Sequence, residues 1–334
     1  MDVPPVLREA LQAALAGQPV AELADAVAGL MARYRTPQAL DDAPEPGPAA
    51  ILAGPVEVAA YAAYRMPATY AAVRSALAAL PTLRPLSLLD LGGGTGAAAW
   101  AATDVFPGLA EVTVLDRFGP ALELGRRLGS ARPVLARARW QEWTYGPQDL
   151  PGAPAELVTI SYLLGELPAR SRWDLVTTAA RGAHAVVVVE PGTPAGHARV
   201  LGAREALLAV GMRIVAPCPH QASCPLAAPD WCHFATRVNR SALHRRVKRA
   251  SLGYEDEKFS YVAALASTAA GPAPIPARQP ASRVLRRPLQ RKGVVQLRLC
   301  TPSGAVASEI VSKRQGERYR FARDLAWGDP WLRD

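Results

Sequence analysis

Residues 86–100, "LSLLDLGGGTGAAAW", constrain this chain more than any other stretch. An apolar run of strand length meets a cluster of glycines and then an alanine-rich segment, so the chain must turn sharply from a strand into a helix. The same alternation continues downstream. "EVTVLDR" (111–117), "AELVTISYLLGEL" (155–167) and "HAVVVVEPGTPAG" (184–196) read as strands, with "GPALELGRRLGS" (119–130) and "RSRWDLVTTAARGA" (170–183) as helices between them. Strands and helices in this order predict an α/β fold with a doubly wound, mostly parallel sheet.

Gly92, Gly94 and Gly96 fall between the first strand and its helix, where missing side chains allow close backbone approach to a ligand and the helix N-terminus favours negative charge. Asp116 closes the next strand 20 residues after Gly96, the place from which a carboxylate accepts hydrogen bonds from ribose hydroxyls. Gly92, Gly94 and Ala97 also fit the dinucleotide fingerprint, which keeps NAD as an alternative. Asp90 argues for the other class, because a carboxylate there faces an ammonium well and would crowd a pyrophosphate. An acid leading Gly-x-Gly-x-Gly resembles the first motif of class I S-adenosylmethionine (SAM) methyltransferases. Gln141, after the third strand, is a candidate for the adenine edge. Ser161 and Tyr162 end the fourth strand, and Glu166 is the nearest carboxylate to the crevice they face; these three are the catalytic candidates. "SYLLGEL" stands where many amino-methylating enzymes carry Asn/Asp-Pro-Pro-aromatic. SAM binding is therefore the expectation, and methyl transfer rests on those three candidates alone.

Three regions emerge. Residues 1–80 read as an N-terminal helical cap, with Pro67 kinking or restarting a helix and "TPQALDDAPEPGPAA" (36–50) as a loop. Residues 81–216 form the SAM-binding, Rossmann-like core. Residues 217–334 hold a Cys-rich loop, a basic helix and C-terminal strands that complete the sheet, with 271–292 as an extended, mobile connector. "GVVQLRLC" and "AVASEIVSK" read as a hairpin. No run approaches the roughly 20 apolar residues of a membrane span, and the start "MDVPPVLREALQAALAG" lacks a basic segment before an apolar run. The expectation is a soluble, cytoplasmic protein with no membrane partner.

The charge is unevenly distributed. Residues 1–230 carry 18 Lys+Arg against 21 Asp+Glu, whereas 231–334 carry 20 against 8, so all of the net +9 resides in the last third. Clustered positive charge is the footprint of a polyanion; a solvated basic surface is the plainer alternative. Four cysteines are too few for a disulfide framework, yet three of them fall in "PCPHQASCPLAAPDWCHF" (217–234). Cys218, Cys224 and Cys232 are separated by five and seven residues, unlike the pairs spaced by two to four in zinc ribbons. With Cys300 they suit an iron–sulfur cluster, and His220 and His233 keep a mixed zinc site open. The closely spaced cysteine triplet of radical-SAM chemistry is missing.

The block "PCPHQASCPLAAPDWCHFATRVNRSALHRRVKRASLGYEDEKFSYVA", with "YRMPATYAAV" upstream and "QLRLCTPSG" downstream, resembles the methyltransferase-like family of mitochondrial small-ribosomal-subunit assembly factors and their bacterial relatives. The resemblance runs from about residue 55 to about 315. It implies a class I methyltransferase fold binding SAM through Asp90, Gly92, Gly94, Gly96 and Asp116. It also implies a [4Fe-4S] cluster on Cys218, Cys224, Cys232 and Cys300, and contact with small-subunit ribosomal RNA by a protein that is monomeric off the ribosome. The cluster would pin the "LHRRVKR" segment and the distal hairpin into one surface. His244, Arg245, Arg246, Lys248 and Arg249 would face RNA phosphates, with Arg283, Arg286, Arg287, Arg291 and Lys292 as a flexible second arm. The alternative is a SAM-dependent methyltransferase acting on a non-ribosomal small molecule or protein, with a structural zinc site.

Overall fold

The computed structural model describes residues 1–35, 54–146, 150–151, 154–226, 229–267 and 281–332. The loop expected over 36–50 and the first ten residues of the 271–292 connector lie outside them.

Among the described residues the chain builds two sheets, one of eight strands and one of five. In the larger, β1 (Ser87–Leu91) runs parallel to β2 (Glu111–Asp116) and to β4 (Leu157–Ser161); β3 (Arg139–Glu142) lies beyond β2, and β5 (Ala185–Pro191) beyond β4. β8 (Tyr254–Ala266) is antiparallel between β5 and β6 (Met212–Ala216), and β7 (Phe234–Asn239) pairs with its first half. The order 3-2-1-4-5-8-6 reverses between β1 and β4, directly after the glycine loop, and places the crevice there. This is the class I methyltransferase-like α/β fold, with a mixed sheet.

β5, "AVVVVEP", shows why the centre holds. Val187 and Val189 enter one core with α4 (Met66–Leu77), α5 (Ala97–Val105) and α6 (Gly119–Gly129), while Val186 and Val188 enter the other with α8 (Ala169–Ala180) and α9 (Pro194–Ala209). A strand covered on both faces reads as a continuous apolar run, and each valine buried there stabilises by roughly 1.5 kcal/mol or more. α5 is buried from Ala97 to Ala102, its small side chains letting α4 pack against it. α4 thus belongs to the layer covering the sheet. α1 (Pro5–Ala14) rests on α6, α2 (Val20–Arg35) on α3 (Pro55–Tyr64), and the short α7 (Pro133–Ala136) follows α6. Pro67 is the second residue of α4, which starts after the single intervening Arg65 that follows α3, so the chain restarts its helix there. No described helix is long and apolar enough to cross a membrane.

The last strands depart from expectation. After α10 (Ala242–Val247) and β8, the segments β9 (Ser282–Val284), β10 (Leu289–Arg291), β11 (Val294–Cys300), β12 (Val306–Ser312) and β13 (Pro330–Trp331) form the second sheet instead of completing the first. In β11, Val295, Leu297 and Leu299 are buried under α11 (Glu317–Asp324) while Gln296 and Arg298 stay exposed. Such alternation suits a one-sided antiparallel sheet and would be costly inside the larger one. β9 and β10 also replace the extended connector expected up to residue 292.

Candidate functional site

The crevice is built on the ends of β1, β2 and β4. Gly92, Gly94 and Gly96 adopt φ of +67°, +51° and +82°, in the left-handed region. A Cβ on Gly96 would stand 2.5 Å from Trp140 Cη2, and one on Gly93 would stand 2.5 Å from both Asp90 Oδ2 and Val114 Cγ1. Only bare backbone fits. Asp116 braces the loop: Gly94 N donates to Oδ2 at 2.9 Å and Phe118 N to Oδ1 at 2.9 Å. Burial raises its carboxyl, and those two amides oppose the rise. Asp90 is fully buried; Thr159 Oγ1 donates to its Oδ1 at 2.8 Å, while Oδ2 has no hydrogen-bond partner. Burial pushes this carboxyl up to about 7. A buried carboxyl oxygen without a donor is costly, and a ligand N–H or ammonium at the loop would relieve it.

Ser161 ends β4, buried. Tyr162 follows at φ +58°, its N–H donating to Val189 O at 2.8 Å and its phenol to Glu257 Oε1 at 2.9 Å. Glu257, on β8, also accepts a bidentate pair from Arg65 at 2.8 Å per bond, and the guanidinium lies 4.8 Å over the Tyr162 ring. Burial, then the Glu257 charge, holds the phenol well above its ordinary value, so Tyr162 is a donor here and not a base. Arg65 and Glu257 escaped the sequence reading, although both fall in blocks that carried the resemblance. Glu166 occupies a single 3₁₀ turn (Leu164–Glu166), 3.3 Å from Arg117 Nη2. Burial pushes it to about 7 against the pull of Arg117, giving the crevice edge a carboxyl that titrates near neutrality. Gln141 requires a correction: it lies within β3, exposed, and not after it. Its neighbours Trp140 and Glu142 take the opposite face, with Glu142 Oε1 2.1 Å from where a Cβ on Gly119 would stand at the start of α6.

The four cysteines meet away from this crevice. Cys218, Cys224 and Cys232 lie between β6 and β7, Cys300 ends β11, and all four line one cavity together with His220, Arg204 and Arg283. Burial and then neighbouring thiols push Cys232 and Cys300 upward, Cys300 to about 12, while Arg204 and Arg283 oppose the rise at Cys300. Arg204, buried, donates to His220 O at 3.1 Å and Ala222 O at 2.7 Å; Arg283 donates to Pro217 O at 3.1 Å and Gly328 O at 2.9 Å. Both guanidiniums hold loop backbone and set positive charge beside the thiols, which moves Arg283 out of the RNA arm expected for it. His220 Nδ1 donates to Ala222 O at 3.0 Å, leaving Nε2 to accept from the Cys300 thiol at 3.3 Å. Among the described residues no three His, Cys, Asp or Glu side chains gather closely enough for a single metal ion. Rings tie the loop to the second sheet: His233 stacks 5.4 Å from Trp231 and lies 3.7 Å from Trp327, over which Arg286 sits at 4.7 Å while pairing with Asp230.

Residues 55–332 match the family described as mitochondrial small ribosomal subunit Rsm22. The chain belongs to the Rsm22 family. It is similar to the human mitochondrial ribosome assembly protein METTL17, with 30% identity over 80% of this chain and 61% of that protein. It is also similar to the mitochondrial Rsm22-cox11 tandem protein 2 of Schizosaccharomyces pombe, with 26% identity over 82% of this chain and 43% of that one. The chain thus spans about half the length of the curated relatives it matches. Human N-acetylserotonin methyltransferase in complex with SAM is a similar solved structure: 16% identical, TM-score 0.40, covering 74% of this chain and 66% of that one. The cytoplasmic placement expected from the sequence is overturned, since the Rsm22 description and these curated relatives are mitochondrial.

In this Rsm22-family chain the basic residues sort by burial. α10 docks Val247 and Leu243 onto α2 and α3, which leaves Arg245, Arg246 and Arg249 exposed. His244 does not face solvent: it is 1% exposed, and burial lowers its pKa to about 4, so it is neutral. Lys248 pairs with Glu255, which also accepts from Arg240 at 2.8 Å. Arg286 is taken by Asp230 and Trp327, whereas Arg287, Arg291 and Lys292 are exposed on and beside β10. Residue type alone predicts a uniform basic face; packing on an apolar helix pair removes His244, and paired acids engage Lys248 and Arg286.

Proposed function

We propose that this chain is a SAM-binding, iron–sulfur-bearing factor that contacts ribosomal RNA of the small subunit. The observation that carries the ribosomal reading is the Rsm22 match over 55–332. The named relatives, one of them a ribosome assembly protein, support it.

For the cofactor, the loop glycines would admit the methionine end of SAM. Asp90 would receive its ammonium on the unpartnered Oδ2, and Asp116 would exchange its loop amides for ribose hydroxyls. SAM supplies an electrophilic methyl group when bound. Glu166, titrating near 7, is the group able to take a proton from an acceptor at the crevice edge; Tyr162 is committed to Glu257. For the metal, zinc would draw thiolates to about 2.3 Å of one centre. Thiols spread around a shared cavity suit a cluster, whose irons and sulfides separate the ligands, and Arg204 and Arg283 would offset thiolate charge. The exposed arginines of α10 and β10 would then meet phosphates.

Sedimentation of lysate containing the tagged protein tests the reading. Migration with free small subunits or their precursors, released by salt, is expected. A position at the top of the gradient at every salt concentration would overturn it.

A further inference from the structure

A second cavity, of about 140 Å³, opens between α1, the α3/α4 junction and α10. That is well above the ~10–15 Å³ needed to admit one water and, at about 30 Å³ per water, leaves room for roughly five, the scale of a small heterocycle and not of one solvent molecule. Its wall is apolar, formed by Leu11, Leu15, Ala62 and Ala63; its other side carries His244, Ser241, whose hydroxyl accepts from His244 N at 3.1 Å, and Asn239, whose Nδ2 donates to Asp2 Oδ1 at 2.9 Å, with Asp2, Gln12 and Arg8 exposed at its border. His244 carries the strongest indication of a ligand. It is 1% exposed, yet neither ring nitrogen has a hydrogen-bond partner, and Nε2 stands 3.6 Å from Glu255 Oε1, beyond good hydrogen-bond distance. Arg240 Nε, at the same end of β7, is likewise buried without a partner. The groups facing His244 are Glu255, Lys248 and Arg240, with the Tyr64 ring edge-on at 6.4 Å.

An apolar wall opposite a polar side with the unpartnered ring nitrogens of His244 suits a heteroaromatic base, with its apolar faces and polar edge. The exposed Arg245 and Arg246 continue the same helix past His244 and supply cations for the adjoining phosphates. We propose that this cavity receives a single nucleobase from an RNA strand whose phosphates run over α10. The inference rests on the RNA-binding reading above and adds to it a place where a base, not only backbone, is held.

The test uses the full chain and a small-subunit ribosomal RNA fragment. Gln12→Trp plugs the cavity from an exposed helix position without changing charge; affinity should fall about tenfold, the scale of one stacked base, at an unchanged salt slope. With wild-type protein, one abasic position in the RNA should cost the same, and the two changes together no more than either alone. If wild-type protein binds RNA but no abasic position costs more than about twofold, the cavity proposal falls and the RNA reading stands. Absence of RNA binding by the wild type overturns both. Adenosine and uridine monophosphates titrated into RNA-free protein should bind weakly; tight binding abolished by Gln12→Trp would make a free nucleotide the occupant and overturn delivery by RNA.

Discussion

The glycine loop and the cysteine cavity are built by opposite means. The loop is built mainly from β1, its turn and β2: Gly94 and Asp116 brace each other within one strand-helix-strand unit, and Asp90 is held by Thr159 on the adjoining β4. The cavity draws three thiols from the loop after β6 and the fourth from β11, so it exists only when both sheets are in place. Damage to the first should stay local. Damage to the second should loosen the join between sheets, because ligand geometry there is itself a product of folding.

The largest expected effect is therefore at the cavity. Cys224→Ser should lose the iron–sulfur absorbance of anaerobically prepared protein, together with tenfold or more of its small-subunit affinity. It should also raise proteolysis and hydrogen exchange in β9 to β13, roughly the reach of the second sheet. Cluster loss without looser β9 to β13 would dissolve the contrast.

Gly96→Ala comes next. At φ +82° with Trp140 Cη2 2.5 Å from the added methyl, it should cost about 2 kcal/mol and most SAM affinity, read by thermal unfolding and calorimetry, while leaving iron content unchanged. Iron loss in this variant would show the two regions to be coupled.

Asp90 sharpens the comparison through pH. Its folded value of about 7 lies above the ordinary 3.8, so the folded protein holds the proton more tightly. The stability this gives is complete below pH ~4 and is lost as pH rises through about 7, a change on the order of a few kcal/mol in ligand-free protein. SAM affinity should move the other way, strengthening as the carboxylate ionises to meet the ammonium. Asp90→Asn should flatten both trends in unfolding and calorimetric titrations, and persistence of both would remove Asp90 from the site.

Arg249→Ala should be the mildest. Its pair with Asp25 is exposed on both sides at 3.4 Å, so stability should change by less than about 0.5 kcal/mol. The salt slope of RNA binding should drop by about one.

What the sequence disclosed follows the same division. Gly92, Gly94, Gly96 and Asp116 were legible because they form one pattern within a single strand-helix-strand unit, and "VVQLRLC" was legible as a hairpin strand from its alternation. The Arg65–Glu257–Tyr162 network was not, since its partners sit at α3's end, on β8 and just after β4, and nothing local in "YRMP" marks an arginine as buried. His244 and Arg283 were misplaced for a related reason: charge type fixes what a side chain offers, and packing fixes where it points. Glu255 to Lys258 all carry charge and give no apolar alternation, yet they pair with β7 as the first half of β8.

The central claim is that the cysteine cavity holds the RNA-facing surface in shape. Its most direct test is co-sedimentation of purified wild type and Cys224→Ser with small ribosomal subunits across a salt series, with iron and sulfide measured in each sample. The account predicts iron-bearing wild type in the subunit fractions at low salt and iron-free variant at the top. Iron-free Cys224→Ser sedimenting with the subunit as the wild type does, at every salt concentration, would contradict it.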